Sequence, residues 1–353
     1  MNRGFSPATK RFLRKMAERI PLSIHMSVTK RDALALYYHV VSDEALPHIR
    51  HLYPYKAPAM FENDLIYLAE NFNLVTYEQL AAHFCGGQRL DPKSVLLTFD
   101  DGLSECYSVV RPLLLKHNTP CVFFITTDYI DNHRMGCEHK ASLCIDRILS
   151  LESSALQDVM KSVGDSLGKG FDNGADLIRW VKSTPGREHS AIDALCRLLG
   201  VDVKAYLESR RPYLTSEEIR RLSEDGFAIG AHSVRHQQLG SLTDTEMEED
   251  ITESCKAIMA LTGQKEVPFA FPFSADGVSR DALQALRKRH GYIGLLFDTN
   301  GVRLDRDFIV SRMCGDWPGN SDPAKSNLPR RLVRAYLEDL ALRGRRLRDR
   351  TAL

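Results

Sequence analysis

The feature that most constrains the fold is a series of short apolar runs separated by stretches with helical periodicity. Runs without polar alternation are typical of parallel strands that are covered on both faces. They predict strands at residues 34–41, 94–99, 121–125, 228–230, 269–271, 293–297 and 309–310, with helices between most of them. Strands and helices in this order predict an α/β fold, a distorted (β/α)7-type barrel.

One segment interrupts this alternation. Residues 135–211 have a helical pattern and no strong strand, which predicts a helical insertion on one barrel loop, with a lid over a site as one interpretation of its role. We therefore predict three parts: a basic N-terminal helix and linker (residues 1–32), the barrel with its insertion (residues 33–325) and a basic C-terminal helix (residues 326–353).

Composition argues against several classes of protein. The formal net charge is +1 and no apolar run reaches 18 residues, so the sequence predicts neither nucleic-acid binding nor a transmembrane helix. The eight cysteines lack framework spacing and no secretory signal is visible, so we expect reduced thiols and a cytoplasmic protein. Basic residues cluster in the predicted helix at 6–20 and in the tail from Arg330, which predicts helices that either dock on the body or contact anionic lipid at the membrane periphery.

Two adjacent carboxylates follow a predicted strand in Thr98-Phe99-Asp100-Asp101-Gly102. In α/β folds reactive groups gather at the carboxyl ends of strands. Neighbouring carboxylates there repel each other unless a cation binds or one of them is protonated. Because aspartate is also a common helix cap, this motif alone predicts either a cation site or a cap.

Two further strand ends carry candidate site residues. His232 and His236 have the i, i+4 spacing that places two imidazoles on one face of a helical turn, within reach of one metal ion. With one aspartate they would make three protein ligands, which is typical of a catalytic zinc-type site. The run Phe271-Pro272-Phe273-Ser274 predicts either a proline turn with core aromatics or a backbone N–H aimed at an oxyanion, beside aromatic walls for a sugar.

Together these motifs resemble those of polysaccharide deacetylases of the NodB-homology type, carbohydrate esterase family 4. The resemblance covers about residues 34–301 and rests on TFDDG at 98–102, HSVRH at 232–236 and FAFPFS at 269–274, in the family's order. It implies a metal-dependent N-deacetylase that hydrolyses the acetamido group of N-acetylated amino sugars in a polysaccharide or glycan precursor.

The resemblance also implies residue roles. Asp101, His232 and His236 would hold a divalent metal ion, commonly Zn²⁺, and Asp100 would be the general base for the attacking water. The backbone N–H of Phe273 would stabilise the oxyanion. Phe271, Pro272 and Phe273 would contact the glycan substrate.

Two residues of the family pattern are missing. Ala270 occupies the position of an arginine that orients the base, and no histidine follows Gly301 to act as the general acid. His39 and Asp316 are the candidate acids, and water is the alternative.

Two other functions fit the same motifs. One is an amidase or deformylase acting on a small or lipid-linked nitrogenous substrate, and the other is a catalytically silent carbohydrate-binding barrel. An open groove with aromatic walls would favour a glycan, whereas a closed pocket under the insertion would favour a small molecule. A silent barrel would bind no metal.

Overall fold

The structure is a computed structural model that describes residues 33–184, 189–318 and 326–351, together with the isolated positions Ile20, Leu22, Ile24 and Met26. The helix predicted at residues 6–20 lies outside the described residues except for Ile20. None of the helices among the described residues combines the length and the apolar content that spanning a membrane requires.

The strands form one parallel sheet of nine strands. They are β1 (Leu34–Tyr38), β2 (Asn73–Leu74), β3 (Ser94–Phe99), β4 (Cys121–Ile125), β5 (Ala228–Ala231), β6 (Val267–Ala270), β7 (Ile293–Asp298), β8 (Ile309–Ser311) and β9 (Met313–Cys314). Their order is β8-β7-β6-β5-β4-β3-β1-β9, with β2 on β3. Since only Arg312 separates the two end strands along the chain, the sheet is nearly closed, and the predicted distorted (β/α)7-type barrel is confirmed.

Helices connect most of the strands. They are α1 (Pro58–Asn71), α2 (Tyr77–Gly86), α3 (Arg111–Lys116), α4 (Cys137–Leu149), α5 (Ser153–Leu167), α6 (Gly174–Ser183), α7 (His189–Leu199), α8 (Val203–Arg210), α9 (Ser216–Glu224), α10 (Asp244–Thr262), α11 (Arg280–Arg289) and α12 (Leu328–Thr351). Thr243 and Glu246 form a reciprocal capping box at the start of α10. A π-helical turn, Cys106–Val110, precedes α3.

Each central strand is buried on both faces, which explains its uninterrupted apolar sequence. Leu36, Leu97 and Phe123 pack in the main core together with residues of the surrounding helices. Ala35 and Phe124 belong to a second cluster, which contains the alternate strand residues and fills the inside of the barrel. The C-terminal helix α12 adds Leu332 and Tyr336 to the main core.

Helices α4 to α8 occupy the described part of the segment between β4 and β5. Helices α4 to α7 enclose a separate apolar cluster that includes Ile145, Leu177 and Ile192. This segment therefore has its own packing centre, and its first helix lies against the barrel.

Gly230 in β5 permits the close approach of neighbouring strands. A Cβ atom at this position would lie 2.3 Å from the Phe124 ring and 2.9 Å from the Pro268 carbonyl oxygen. We expect Gly230→Ala to lower the free energy of unfolding by about 1–3 kcal/mol, because overpacking moves backbone and ring. Gly291→Ala is the control, since a Cβ there meets no atom within 4 Å. Urea denaturation measures both; equal stability of the two variants would contradict the tight contact.

Candidate metal and catalytic site

The carboxyl ends of five strands surround one cavity of about 510 Å³. Parallel strands in a barrel end at the same face, so residues far apart in sequence meet there. Residues at the strand ends form one side of the cavity wall. The segment after β1 and helix α4 form the other side. The lining includes Tyr37, His39, Tyr53, Asp100, Asp101, Glu138, His232, His236, Phe271, Phe273 and Thr299.

Asp101 faces both predicted histidines. Its Oδ1 lies 3.2 Å from Nε2 of His236 and 3.5 Å from Nε2 of His232, and all three side chains are buried. Burial alone would raise the pKa of Asp101, but the two imidazoles hold it well below its usual range. The carboxylate is therefore ionised and available as a ligand.

These three residues fit a divalent metal ion. Oδ1 of Asp101 is buried without a hydrogen-bond partner among the described residues. The three ligand atoms lie within 4.8 Å of one another, and ligands about 2.1 Å from one tetrahedral ion would lie roughly 3.4 Å apart. One carboxylate and two imidazoles are typical of a catalytic site that keeps a position open.

The backbone of the two histidines differs from the prediction. Residues 232–236 form an irregular loop rather than a helical turn, and Ser233 and His236 have left-handed φ angles of 65° and 56°. The Ser233 hydroxyl accepts a hydrogen bond from the N–H of His236 at 2.7 Å. Because this turn is held by side chains, the i, i+4 spacing brings the imidazoles together without helical geometry.

Left-handed residues are concentrated at this site. Asp101 and Phe273 have φ angles of 72° and 61°, in addition to Ser233 and His236. Such conformations are unfavourable for residues with a Cβ, and they tend to occur where function fixes a side chain.

Different parts of the fold orient the two imidazoles. His232 Nδ1 lies 2.8 Å from the carbonyl oxygen of Ala270 on β6. Since that oxygen only accepts, Nδ1 carries the proton, and in the neutral imidazole Nε2 can bind a metal ion through its lone pair. His236 Nδ1 instead lies 2.5 Å from Oε1 of Glu138, in the first turn of α4. Burial alone would raise the pKa of Glu138, but His236 lowers it, so this carboxylate is ionised.

Asp100 forms a buried, two-pronged ion pair with Arg312. The guanidinium donates to both carboxylate oxygens, at 2.6 and 2.9 Å, and to the Thr98 hydroxyl at 2.9 Å. Arg312 is fully buried, and its guanidinium lies about 5 Å from the rings of Tyr37 and Phe124. Neither aspartate caps a helix, because the next helical turn begins after Glu105 without a side-chain cap. The cap interpretation of this motif is therefore wrong.

Sequence reasoning missed Arg312. It contacts Asp100, the carboxylate that an arginine at the position of Ala270 orients in the family pattern, but it comes from the connection between β8 and β9. One signal was available: Arg312 is the single charged residue in the run from Phe308 to Met313, whose other residues are apolar except Ser311.

The two candidate acids, His39 and Asp316, are hydrogen-bonded to each other. His39 Nδ1 lies 2.5 Å from Oδ2 of Asp316, and Oδ1 accepts the backbone N–H of His39 at 3.0 Å. Burial alone would lower the pKa of His39, but the Asp316 carboxylate outweighs it and raises the pKa to about 9. His39 also stacks on Tyr53, with ring centroids 4.5 Å apart, and it lines the cavity.

The loop after β6 is fixed beside His236. The Phe273 ring lies 4.9 Å from the His236 ring, and the carbonyl oxygen of Phe273 accepts a hydrogen bond from the Thr299 hydroxyl at 2.5 Å. None of the described residues accepts a hydrogen bond from the N–H of Phe273. Phe271 and Phe273 line the cavity, whereas Pro272 is buried and is not part of its lining.

The polysaccharide deacetylase family model matches residues 87–293, which is more than half of the chain. The chain belongs to the polysaccharide deacetylase family. It is accordingly a hydrolase of carbon–nitrogen amide bonds, of the carbohydrate esterase family 4 type. No curated protein gives a significant match.

The similar solved structures include two deacetylases and the protein IcaB. The deacetylase PplD of Streptococcus pyogenes, solved in complex with acetate, is 14% identical with a TM-score of 0.52, covering 86% of this chain and 97% of that one. The de-N-acetylase of Aggregatibacter actinomycetemcomitans is 17% identical, with a TM-score of 0.48 and coverages of 83% and 97%. IcaB of Ammonifex degensii is 16% identical, with a TM-score of 0.47 and coverages of 80% and 91%.

The contact between Glu138 and His236 should affect metal binding by this polysaccharide deacetylase. We expect Glu138→Gln to weaken Zn²⁺ affinity by about 10- to 100-fold, because partners that orient a metal-binding histidine typically contribute that much. Glu152→Gln is the matched control, since Glu152 is exposed at the start of α5 and makes no side-chain cap hydrogen bond. Competition titration of the metal-free proteins measures both affinities. Equal affinities would show that the carboxylate does not orient His236.

Proposed function

We propose that this polysaccharide deacetylase is a metal-dependent N-deacetylase that acts on the acetamido group of N-acetylated amino sugars in a polysaccharide or glycan precursor. The observation that carries the proposal is the set Asp101, His232 and His236 beside a second carboxylate, Asp100, that is held by Arg312. A divalent ion such as Zn²⁺, when bound by these three residues, would polarise the amide carbonyl and lower the pKa of water.

Asp100 is the proposed general base. Its two oxygens are fixed by the Arg312 guanidinium, which limits rotation of the carboxylate. A carboxylate held in this way can accept the proton of the attacking water. The N–H of Phe273 has no acceptor among the residues that the structure describes, which supports the proposal that it donates to the developing oxyanion.

His39 is the proposed general acid. The sugar nitrogen must gain a proton before the carbon–nitrogen bond breaks, so the acid has to be protonated at working pH and reach the cavity. The pKa of about 9 and the position of His39 in the cavity wall meet both requirements. Asp316 positions the imidazole and stabilises its charge, as a carboxylate does in other acid–base pairs.

The silent-barrel alternative is disfavoured by the arrangement of charge. Burying charged groups costs desolvation. One cavity of this protein holds the buried Arg312–Asp100 ion pair and Asp101 between two buried imidazoles. An amidase or deformylase would use the same residues, and substrate assays separate it from an N-deacetylase. Cytoplasmic location and lipid contact through the basic ends stay predictions from the sequence.

Asp100→Asn tests the assignment of the base. We expect kcat to fall by about 10²–10⁴-fold, because the amide cannot accept the proton of water. Metal content should be unchanged, since Asp101, His232 and His236 remain. Acetate release from N-acetylated oligosaccharides and metal analysis measure the two effects, with the exposed Asp158→Asn as the control. Normal turnover of the Asp100 variant would contradict the role of this carboxylate.

The pH dependence tests His39. A group with a raised pKa is protonated below that pKa, so we expect kcat/KM to fall as the pH rises through about 9, where His39 loses its proton. Asp316→Asn removes the carboxylate that raises the pKa, so the alkaline limb should move to lower pH. His39→Gln should remove the limb. A limb that stays in place in both variants would identify another acid.

A further inference from the structure

We propose that the cavity accepts only a terminal N-acylated amino sugar, either free or at the end of a chain, because helix α4 closes the side through which an interior residue would have to pass. This inference rests on the proposed function and deepens it by naming the form of the substrate. It is carried by the way in which α4 is placed and fastened.

One face of α4 forms a wall of the cavity. Glu138, Ala141 and Ile145 line the cavity, and their i, i+3, i+7 spacing places them on one side of the helix. His139, the neighbour of Glu138, lines it as well. The strand-end residues lie opposite, so the reacting centre is enclosed between the barrel and the first helix of the inserted segment.

The wall is fastened to the segment after β1. The Ser142 hydroxyl donates to the carbonyl oxygen of Pro47 at 2.7 Å and accepts the N–H of His51 at 3.4 Å. Asp146 pairs with Arg50 and lies 3.0 Å from Nε2 of His51. We call these contacts the clasp. Because the clasp joins α4 to residues 47–51, it closes the gap between the inserted segment and the barrel.

The start of α4 is fastened as well. Nδ1 of His139 lies 2.6 Å from the Tyr213 hydroxyl, and Glu138 contacts His236. Contacts at both ends make α4 a fixed wall of the cavity rather than a lid over it. A polymer that crosses a barrel face needs two open sides, and this wall removes one of them.

The size and the opening of the cavity are compatible with binding of the terminal sugar of a glycan chain. A volume of about 510 Å³ lies within the range of pockets that enclose small ligands. The exposed lining residues are Lys182 and Phe273, and the Phe273 side chain is 46% exposed. An aromatic ring at the opening can pack against one sugar face while the acetamido group reaches the metal ligands.

The test compares substrates with the Zn²⁺-loaded full chain. The probes are N-acetylglucosamine and its linear pentamer, with acetate release measured and the position of each new amine mapped by mass spectrometry. We expect one acetyl group lost per pentamer, from a terminal residue. Loss from interior residues would overturn this inference and leave the proposed function intact. If neither probe releases acetate, the result counts against the proposed function itself.

A matched pair of variants tests the wall directly. Asp146→Ala removes the charged part of the clasp, and we expect the product of the pentamer to shift from terminal toward interior deacetylation. Asp158→Ala, an exposed aspartate on α5, should keep the terminal product. Zn²⁺ affinity of Asp146→Ala reports whether Glu138 is still in place. An unchanged product with unchanged Zn²⁺ affinity would show that the clasp does not limit access.

Discussion

The ion pair between Arg312 and Asp100 is the interaction on which the rest of the site depends. Arg312 follows β8 and precedes β9, so its side chain enters the barrel where the two ends of the sheet meet. Inside the barrel, its guanidinium donates hydrogen bonds to Asp100 and Thr98 at the end of β3. The guanidinium also lies about 5 Å from the rings of Tyr37 and Phe124. A buried charge without a partner is costly. Closure of the barrel therefore also brings the proposed base its charged partner.

The two histidines among the proposed metal ligands are oriented by separate parts of the chain. The barrel backbone orients His232 through Ala270, and the inserted segment orients His236 through Glu138. The left-handed φ angles of Asp101 and His236 add backbone strain, which the surrounding contacts must offset. The inserted helices thus have a role beyond covering the barrel, because α4 supplies a contact to one ligand and a wall to the cavity.

The sequence predicts the strands and the proximity of Asp101 to His232 and His236, because the signals for both are local patterns. Buried parallel strands read as apolar runs, and strand-end motifs place reactive groups at one face. The supporting contacts are not local. Arg312 and Asp100 are 212 positions apart, and His39 and Asp316 are 277 apart, so no spacing rule connects them. The loop at His232–His236 was predicted as helical because spacing alone does not reveal the side-chain bonds that hold an irregular turn.

We propose that other residues of the fold substitute for the two missing family residues. Arg312 contacts the carboxylate that the arginine at position 270 would orient, and His39, paired with Asp316, is the proposed acid in the absence of a C-terminal histidine. Such exchange is feasible because all strand ends of the barrel converge, so a side chain from any of them can reach the same cavity. Arg312, Asp316 and His39 all lie outside residues 87–293, the part that the family model matches. Similarity in sequence therefore points to the proposed metal ligands, whereas the pairing of Arg312 with Asp100 and of His39 with Asp316 is revealed only by the contacts in the structure.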